Sequence, residues 1–594
     1  MKKLFSLLLA MALLAGCAPA LAQDALDTYT YWEPNWPIVK EGETLNVSVA
    51  TSVNSSYYKS PDETWFWRWS EEATGIDFDV RQITAEAMDE QRNLMFASDN
   101  LPDVLIGLEL TPGDLMRYGA TEKQLLDLTP YINEETMPYL SLWFEKYPMM
   151  RTLATSPDGA IYSLPFTRLK TDYEGSHETA FYNMEWLKEV VDGLPEIPST
   201  REEYDAWVEA TQDVLPRTLD EFTELLYAFK ENHPDSTPLA GVASDSDKRK
   251  NPMSFLLNAF GYLTTSDNVY GHDVALKDGQ VVIPATDDDF FEFLKLANQY
   301  YTDGIICKDF FVADDLVYNA QITDNQSGVE VKNFVYAFLP EAEDYHKWDA
   351  MYPLTSDFNP EAAVLEADLY KVGGCALSAD AQNVEEILNW LDFFYSDLGI
   401  FYLWSGPING SPDTLGMVEG FYYDVEKGSK VFPDVLNGDY ENNLAYVYTI
   451  GFGQNASFGN RSHSITDESY ATMWQALQHL QGVADDQINR VTLSYDHGDN
   501  YSRICSATRV IPYVKSGFPS IVYYDDATQS TIDEISLLLD DYIESEVAKF
   551  ITGATPLTEE NFQAFVDECN AYGAADLQAI YAEAYEDYLS NLQD

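Results

Sequence analysis

Basic residues are scarce in this chain of 594 residues: 34 Lys plus Arg against 99 Asp plus Glu leave a formal net charge of -65. A surface of that sign repels nucleic-acid phosphates and anionic lipid headgroups, so no nucleic-acid partner is expected. Cysteine is scarce too. Of five, Cys17 stands apart near the N-terminus, while Cys307, Cys375, Cys505 and Cys569 are widely spaced without a C-x-x-C. Spacing does not separate disulfides from buried thiols, and in a chain this long the plain reading is small core residues. Beyond residue 17 no apolar run approaches the ~18 residues that span a bilayer. Catalytic signatures are missing as well: there is no H-E-x-x-H, no G-x-S-x-G and no G-x-x-x-x-G-K-[ST], and Gly451-Phe452-Gly453 lacks the third glycine of a dinucleotide loop. The seven His are scattered, and carboxylates are so numerous that a glycosidase-like pair carries no weight. These absences point away from an enzyme and predict neither cofactor nor metal.

What is present begins at the N-terminus. Lys2 and Lys3 precede an apolar run from Leu4 to Leu14, broken by Ser6 and closed by Leu14-Ala15-Gly16-Cys17. The run is too short to span a membrane and reads as a secretory signal. Its ending resembles the lipobox of bacterial lipoproteins, in which Cys17 would become the acylated first residue. Ala20-Leu21-Ala22 before Gln23 offers a rival cut. Residues 1–22 are therefore read as signal and lipobox, with cleavage before Cys17 favoured, and 23–42 as a polar tether. The expected location is the extracellular face of the cell membrane, lipid-anchored. A content of 46% hydrophobic and 14% aromatic residues supports large cores in more than one domain.

The periodicity predicts a strand at 44–50, a helix over 63–74 stopped by Gly75, a strand at 76–83, a helix over 85–98 and a buried strand at 101–107. Alternation of this kind builds a parallel sheet in an α/β lobe, whose ligands bind beyond the carboxyl ends of strands. The loops 51–58 and 107–111 lie there. Capping boxes are expected at Thr200 with Glu203, Thr218 with Glu221, and Thr531 with Glu534. Asp287-Asp288-Asp289 reads as stabilising a helix N-terminus. Trp65 and Trp69 share a helix face and read as core.

Several pieces then occur in one order: Leu101-Pro102-Asp103-Val104, Asp158-Gly159-x-Ile161-Tyr162-x-Leu164-Pro165, Phe181-Tyr182-Asn183-x-x-Trp186-Leu187, Pro216-x-Thr218-Leu219-Asp220-Glu221-Phe222 and Tyr301-Thr302-Asp303-Gly304. With the lipobox and Lys549-Phe550-Ile551-Thr552-Gly553 they resemble the family 1 extracellular solute-binding proteins, the maltose-binding superfamily that feeds ABC importers, and in particular its large lipoprotein subgroup. The resemblance implies an α/β, two-lobe periplasmic-binding-protein-like fold (type II) with lobes joined by a hinge. Lobe one would hold 43–165 plus about 366–505, and lobe two 166–365 plus about 506–594. It also implies a monomeric, non-enzymatic protein that captures a carbohydrate, an oligosaccharide above all, and delivers it to permease subunits. A secreted carbohydrate-active hydrolase and a surface lipoprotein binding peptides are the alternatives.

Aromatic rings bury the C–H faces of pyranoses while polar neighbours take the hydroxyls. Tyr57 and Tyr58 after the first strand, Glu109 after the third, and Thr167 and Arg168 past the crossing occupy the positions where family ligand contacts fall. Asp245, in the charged loop 244–250, and Trp404, before Ser405-Gly406-Pro407, complete the candidates. The plainer readings are a hinge salt bridge for Arg168, an exposed loop for Asp245 and a core ring for Trp404. Many large members carry an EF-hand-type calcium loop after the helix that here ends at Phe229-Lys230. This chain has Glu231-Asn232-His233-Pro234-Asp235-Ser236-Thr237-Pro238 instead, without the D-x-N-x-D-G run or a closing Glu, which argues against calcium there. Asp496, Asp499 and Asn500 form a second, weaker calcium candidate without template spacing.

Overall fold

A computed structural model of the chain describes residues 36–53, 60–61, 64–167, 179–243, 251–265, 268–332, 342–396, 399, 422–424, 429–431, 459–460 and 498–591. The chain divides into two compact units, one bounded by Met1–Leu169 and Tyr370–Thr492, the other by Lys170–Leu369 and Leu493–Asp594. The principal strands are β1 (Leu45–Val53), β2 (Ile76–Thr84), β3 (Val104–Ile106), β4 (Leu164–Thr167), β5 (Thr179–Asn183), β6 (Val329–Lys332), β7 (Trp348–Ala350), β8 (Tyr370–Leu377) and β9 (Gly459–Asn460). The principal helices are α1 (Trp65–Thr74), α2 (Met88–Ala97), α3 (Pro138–Lys146), α4 (Met184–Val190), α5 (Arg201–Thr211), α6 (Leu219–Asn232), α7 (Phe290–Asp303), α8 (Val384–Asp392), α9 (Gly498–Arg509), α10 (Asp526–Thr552), α11 (Glu559–Ala571) and α12 (Ala574–Asn591). The break expected near 505 falls inside α9, which lies within the second unit.

The first unit is built on a mixed sheet in the order β9-β4-β8-β3-β1-β2. β1 and β2 run parallel with Leu45 opposite Ile76, and β3 joins β1 in parallel with Thr51 opposite Ile106. β8 returns antiparallel to both β3 and β4. α1 packs Phe66, Trp67 and Trp69 into the core and leaves Arg68 exposed. The Trp67 ring lies 5.5 Å from Phe78, which in turn lies 4.5 Å from Trp390 of α8. Gly75, at φ 77, ends α1 in the left-handed conformation that a side chain would resist. Asp392, at the end of α8, accepts from the Tyr139 and Leu140 amides at 2.9 and 2.8 Å, closing the first turn of α3. Burial pushes its carboxyl up to about 7, although those two amides pull the other way.

In the second unit β5 sits between β6 and β7, antiparallel to each. α6, α7 and the terminal helices pack one continuous core that includes Leu226, Phe229, Leu294, Leu539, Ile543 and Phe565. Cys307, Cys375, Cys505 and Cys569 are free thiols, and three of them are buried. Thr218 and Glu221 form the reciprocal capping box. Thr200 caps α5, but the Glu203 carboxylate bonds the Ser199 amide and hydroxyl. Thr531 does not start a helix. α10 begins at Asp526 with Asp525 as its cap, and the Thr531 hydroxyl donates to the Ala527 carbonyl one turn back. A T-x-x-E spacing is common on any helix face, and the earlier Asp supplied the stronger cap. The acidic run before α7 also does other work: Asp287 and Asp289 both pair with Lys277, and Asp289 makes no side-chain cap.

One buried ion pair organises this unit. The Arg509 guanidinium meets Asp349 at 2.8 Å with both side chains wholly unexposed. Asp349 also accepts from the hydroxyls of Tyr182 at 2.9 Å and Tyr204 at 2.7 Å and from the Ala350 amide. Trp207 donates to Tyr182, and Arg509 to Thr211. Burial would pull the arginine down, but Asp349 holds it above its ordinary value, while burial drives both tyrosines far up. With its acceptor sites filled, Asp349 has no free lone pair for chemistry, so the cluster is structural. Arg509→Met should leave Asp349 as an unpaired buried charge and cost about 3–5 kcal/mol. Chemical denaturation with Tyr and Trp fluorescence should record that loss.

Candidate functional site

Strand direction gathers the candidate residues before any side chain is considered. β1, β2, β3 and β4 all run the same way, so their carboxyl ends share one edge of the first unit's sheet. That edge carries residues 51–53, Thr84, residues 106–109 and Thr167, with Asn460 in register beside Thr167. Of the sequence candidates, Glu109 and Thr167 are placed there. Tyr57, Tyr58, Arg168, Asp245 and Trp404 lie outside the described residues. So does Asp496. Thr167 is buried, whereas Glu109 is exposed.

Glu109 is held in an unusual backbone state. Its φ is 53, a left-handed conformation that costs a non-glycine residue of order 1 kcal/mol and that persists only where surroundings enforce it. Arg92 of α2 provides part of that enforcement by donating to the Leu108 and Glu109 carbonyls at 2.9 and 3.2 Å, while pairing with Asp89 at 2.9 Å. β8 provides the rest. Between Lys371 and Cys375 its register against β4 shifts, leaving an outward bulge at Gly373 and Gly374. The Gly107 amide donates to the Gly374 carbonyl at 2.7 Å, and the Gly373 amide donates to buried Ser163 Oγ at 2.8 Å. A Cβ on Gly373 would stand 1.7 Å from the Leu110 carbonyl oxygen. Strand β8 therefore has to be glycine here for the 107–111 loop to seat against it.

Beyond the loop, Thr111 and Asp114 close a reciprocal capping box, and the next turn is of the wide π type over residues 115–121. Gly119 in that turn lies under the Tyr162 ring, whose hydroxyl bonds Asp158 at 2.6 Å. The edge thus presents an exposed carboxylate, Glu109, on a loop held by Arg92 and β8. Ser52, at the end of β1, is buried with its Oγ unpartnered. This arrangement suits recognition of a hydroxyl-rich neutral solute.

Sequence reasoning missed Arg92, Ser163 and Gly373. The Gly373-Gly374 pair was the available signal, since glycine within a strand marks a bulge or a close backbone approach. Within the second unit a cavity of about 10 Å³ bounded by Thr179, Phe255 and Met351 has room for one water, not a sugar ring. Among the described residues no group of three or more His, Cys, Asp or Glu is placed to hold a metal ion, and no helix is long and apolar enough to cross a membrane.

Comparison with known proteins bears on the family and the fold. The family model described as bacterial extracellular solute-binding protein matches residues 52–398. The fructooligosaccharide ABC transporter substrate-binding protein FusA of Streptococcus pneumoniae is 27% identical over 329 residues, 54% of this chain and 55% of that protein. Lipoprotein LipO of Bacillus subtilis is 23% identical over 293 residues, 47% of this chain and 49% of LipO. Each alignment thus spans about half the relative's length. Solved structures of FusA, one with kestose and one of an EF-hand mutant with fructo-nystose, superpose with TM-scores of 0.67 and 0.66 at 21% and 20% identity. Both cover 92% of this chain and 100% of theirs. The fold is therefore the two-lobe, type II solute-binding fold.

The two positions should respond differently to substitution. Gly373→Ala should lower stability by about 1–3 kcal/mol from the left-handed backbone alone, before the Leu110 clash is added. Glu109→Gly, which relieves a left-handed strain, should stay within about 1 kcal/mol of the parent. Thermal melts of the two variants check this.

Proposed function

Because this chain belongs to the bacterial extracellular solute-binding proteins, we propose that it is the substrate-binding lipoprotein of an ABC importer, capturing an oligosaccharide and delivering it to the membrane permease. The observation that carries the reading is the sequence match to FusA, a fructooligosaccharide-binding protein; the polar sheet edge bearing Glu109 is compatible with it. No step of covalent chemistry is assigned to the protein.

The ligand contacts are assigned to Tyr57, Tyr58, Glu109, Thr167 and Arg168, joined by Asp245 and Trp404. The two tyrosines and Trp404 would cover sugar C–H faces, and Glu109, Arg168 and Asp245 would bond hydroxyls. With Thr167 itself buried, its part is to fix the strand end from which Arg168 departs. The two units are assigned as the lobes of the type II fold. Cys17, once acylated, holds the protein at the extracellular face, and the likeness to lipoprotein LipO supports that anchor. The protein is read as working as a monomer.

A thermal-shift panel of the soluble chain from Asp24 onward tests this, using fructo-oligosaccharides, other oligosaccharides, monosaccharides and peptides. A ligand at a hundred times its dissociation constant adds about 2.7 kcal/mol of stability. An oligosaccharide should raise the midpoint and be recovered intact, and Glu109→Ala should weaken that shift. Cleavage of the recovered sugar would move the protein to the hydrolases. A response to peptides alone would overturn the carbohydrate assignment.

A further inference from the structure

The FusA structure described as an EF-hand mutant raises the question of what this chain does where such a loop would follow α6. An EF-hand calcium loop supplies side-chain oxygens at its first, third and fifth positions, a carbonyl at the seventh and a bidentate Glu at the twelfth. The segment after α6 does not fit that donor set. From 232 to 243 its one carboxylate is Asp235. Counting twelve residues from Glu231 or Asn232 reaches Val242 or Ala243, both buried and apolar.

A side-chain cation is present instead. Lys230, in the last turn of α6, donates from Nζ to the Ser236 carbonyl at 2.6 Å. The same Nζ lies 3.6 Å from the position of a Cβ on Gly304, the left-handed cap that ends α7 at φ 70. A helix carboxyl end carries partial negative charge and favours an ammonium. Lys308 joins it there, donating to the Tyr301 and Thr302 carbonyls. The turn is closed by its own bonds: the Ser236 amide and hydroxyl both donate to the His233 carbonyl, at 3.0 and 2.6 Å. The His233 ring stacks on buried Trp186 at 3.8 Å and pairs with Glu189 at 2.6 Å. Burial pulls the Lys230 pKa below the ordinary lysine value, and the nearby Asp235 carboxylate opposes that pull.

We propose that Lys230 is a built-in cation that takes the structural place of calcium in this loop, joining the 233–238 turn to the carboxyl end of α7 and making the second unit independent of the metal. The ammonium engages a carbonyl of the turn and is tethered to the helix, so it cannot be chelated away.

Thermal melts of the soluble chain in millimolar EDTA, CaCl2 or MgCl2 test this, with MgCl2 controlling for screening of the acidic surface. The unsubstituted protein should melt within about 1 °C in all three. Lys230→Met should melt about 2–4 °C lower in each, and Lys230→Arg, which keeps the positive charge, should recover most of the loss. A rise of several degrees in calcium and not in magnesium would show a real calcium site and overturn the proposal. So would a Lys230→Met protein that melts like its parent. Should Lys230→Met fail to fold, the metal series on the parent and the Lys230→Arg melt still decide the question.

Discussion

The Arg509–Asp349 pair is the contact that the second unit depends on. Taking two charges fully out of water is expensive, and the attraction between them offsets that only when every remaining donor and acceptor is also engaged. Here Asp349 is saturated by two tyrosine hydroxyls, one amide and the guanidinium. The two guanidinium nitrogens without hydrogen bonds, Nε and Nη1, are accompanied by the rings of Tyr182 and Tyr352 at 5.9 and 5.4 Å from the guanidinium carbon. The chain segments that meet at this pair are distant in sequence: β5, α5, β7 and α9. Chain that leaves the unit at 369 and re-enters at 493 brings Arg509 to this pair. The pair acts as an address for the returning chain as much as a source of stability.

In the first unit the equivalent constraint is steric. The sheet could continue past β3 as an ordinary loop, but the double glycine in β8 lets the Leu110 carbonyl approach to a distance no side chain would allow. Arg92 holds the same loop from the opposite side through two carbonyls. Between them they keep Glu109 in a backbone state it would not choose alone. Strain of this kind is characteristic of loops that must present a group in one orientation, and it connects the packing of the sheet to the recognition proposed for its edge.

Much of this was legible in the sequence, and the reasons differ by element. Periodicity exposed β1 and β2, a continuous apolar run exposed the wholly buried β3, and Gly75 marked a helix end that only a left-handed residue could close. The Thr218 box was readable because both of its partners are local. Long-range partners were not. Asp287 and Asp289 looked like helix-stabilising charge, yet Lys277 claims both. Thr531 matched a cap spacing that Asp525, six residues earlier, made redundant. Ser163 and Asp349 owe their roles to residues far along the chain, and no periodicity encodes such pairings. The candidate site was legible as topology, in the rule that ligands gather at strand carboxyl ends, and only partly as residues.

That edge is where the account can be tested most directly. Hydrogen exchange of the soluble chain, with and without an oligosaccharide that raises its melting temperature, reads the amides of residues 51–53 and 106–111 separately from the rest of the first unit. Binding at the carboxyl edge should slow exchange in both stretches while leaving the strand β2 amides near Ile76, at the opposite end of the sheet, unchanged. Protection confined to other surfaces, with residues 106–111 exchanging as in the free protein, would contradict the placement of the site.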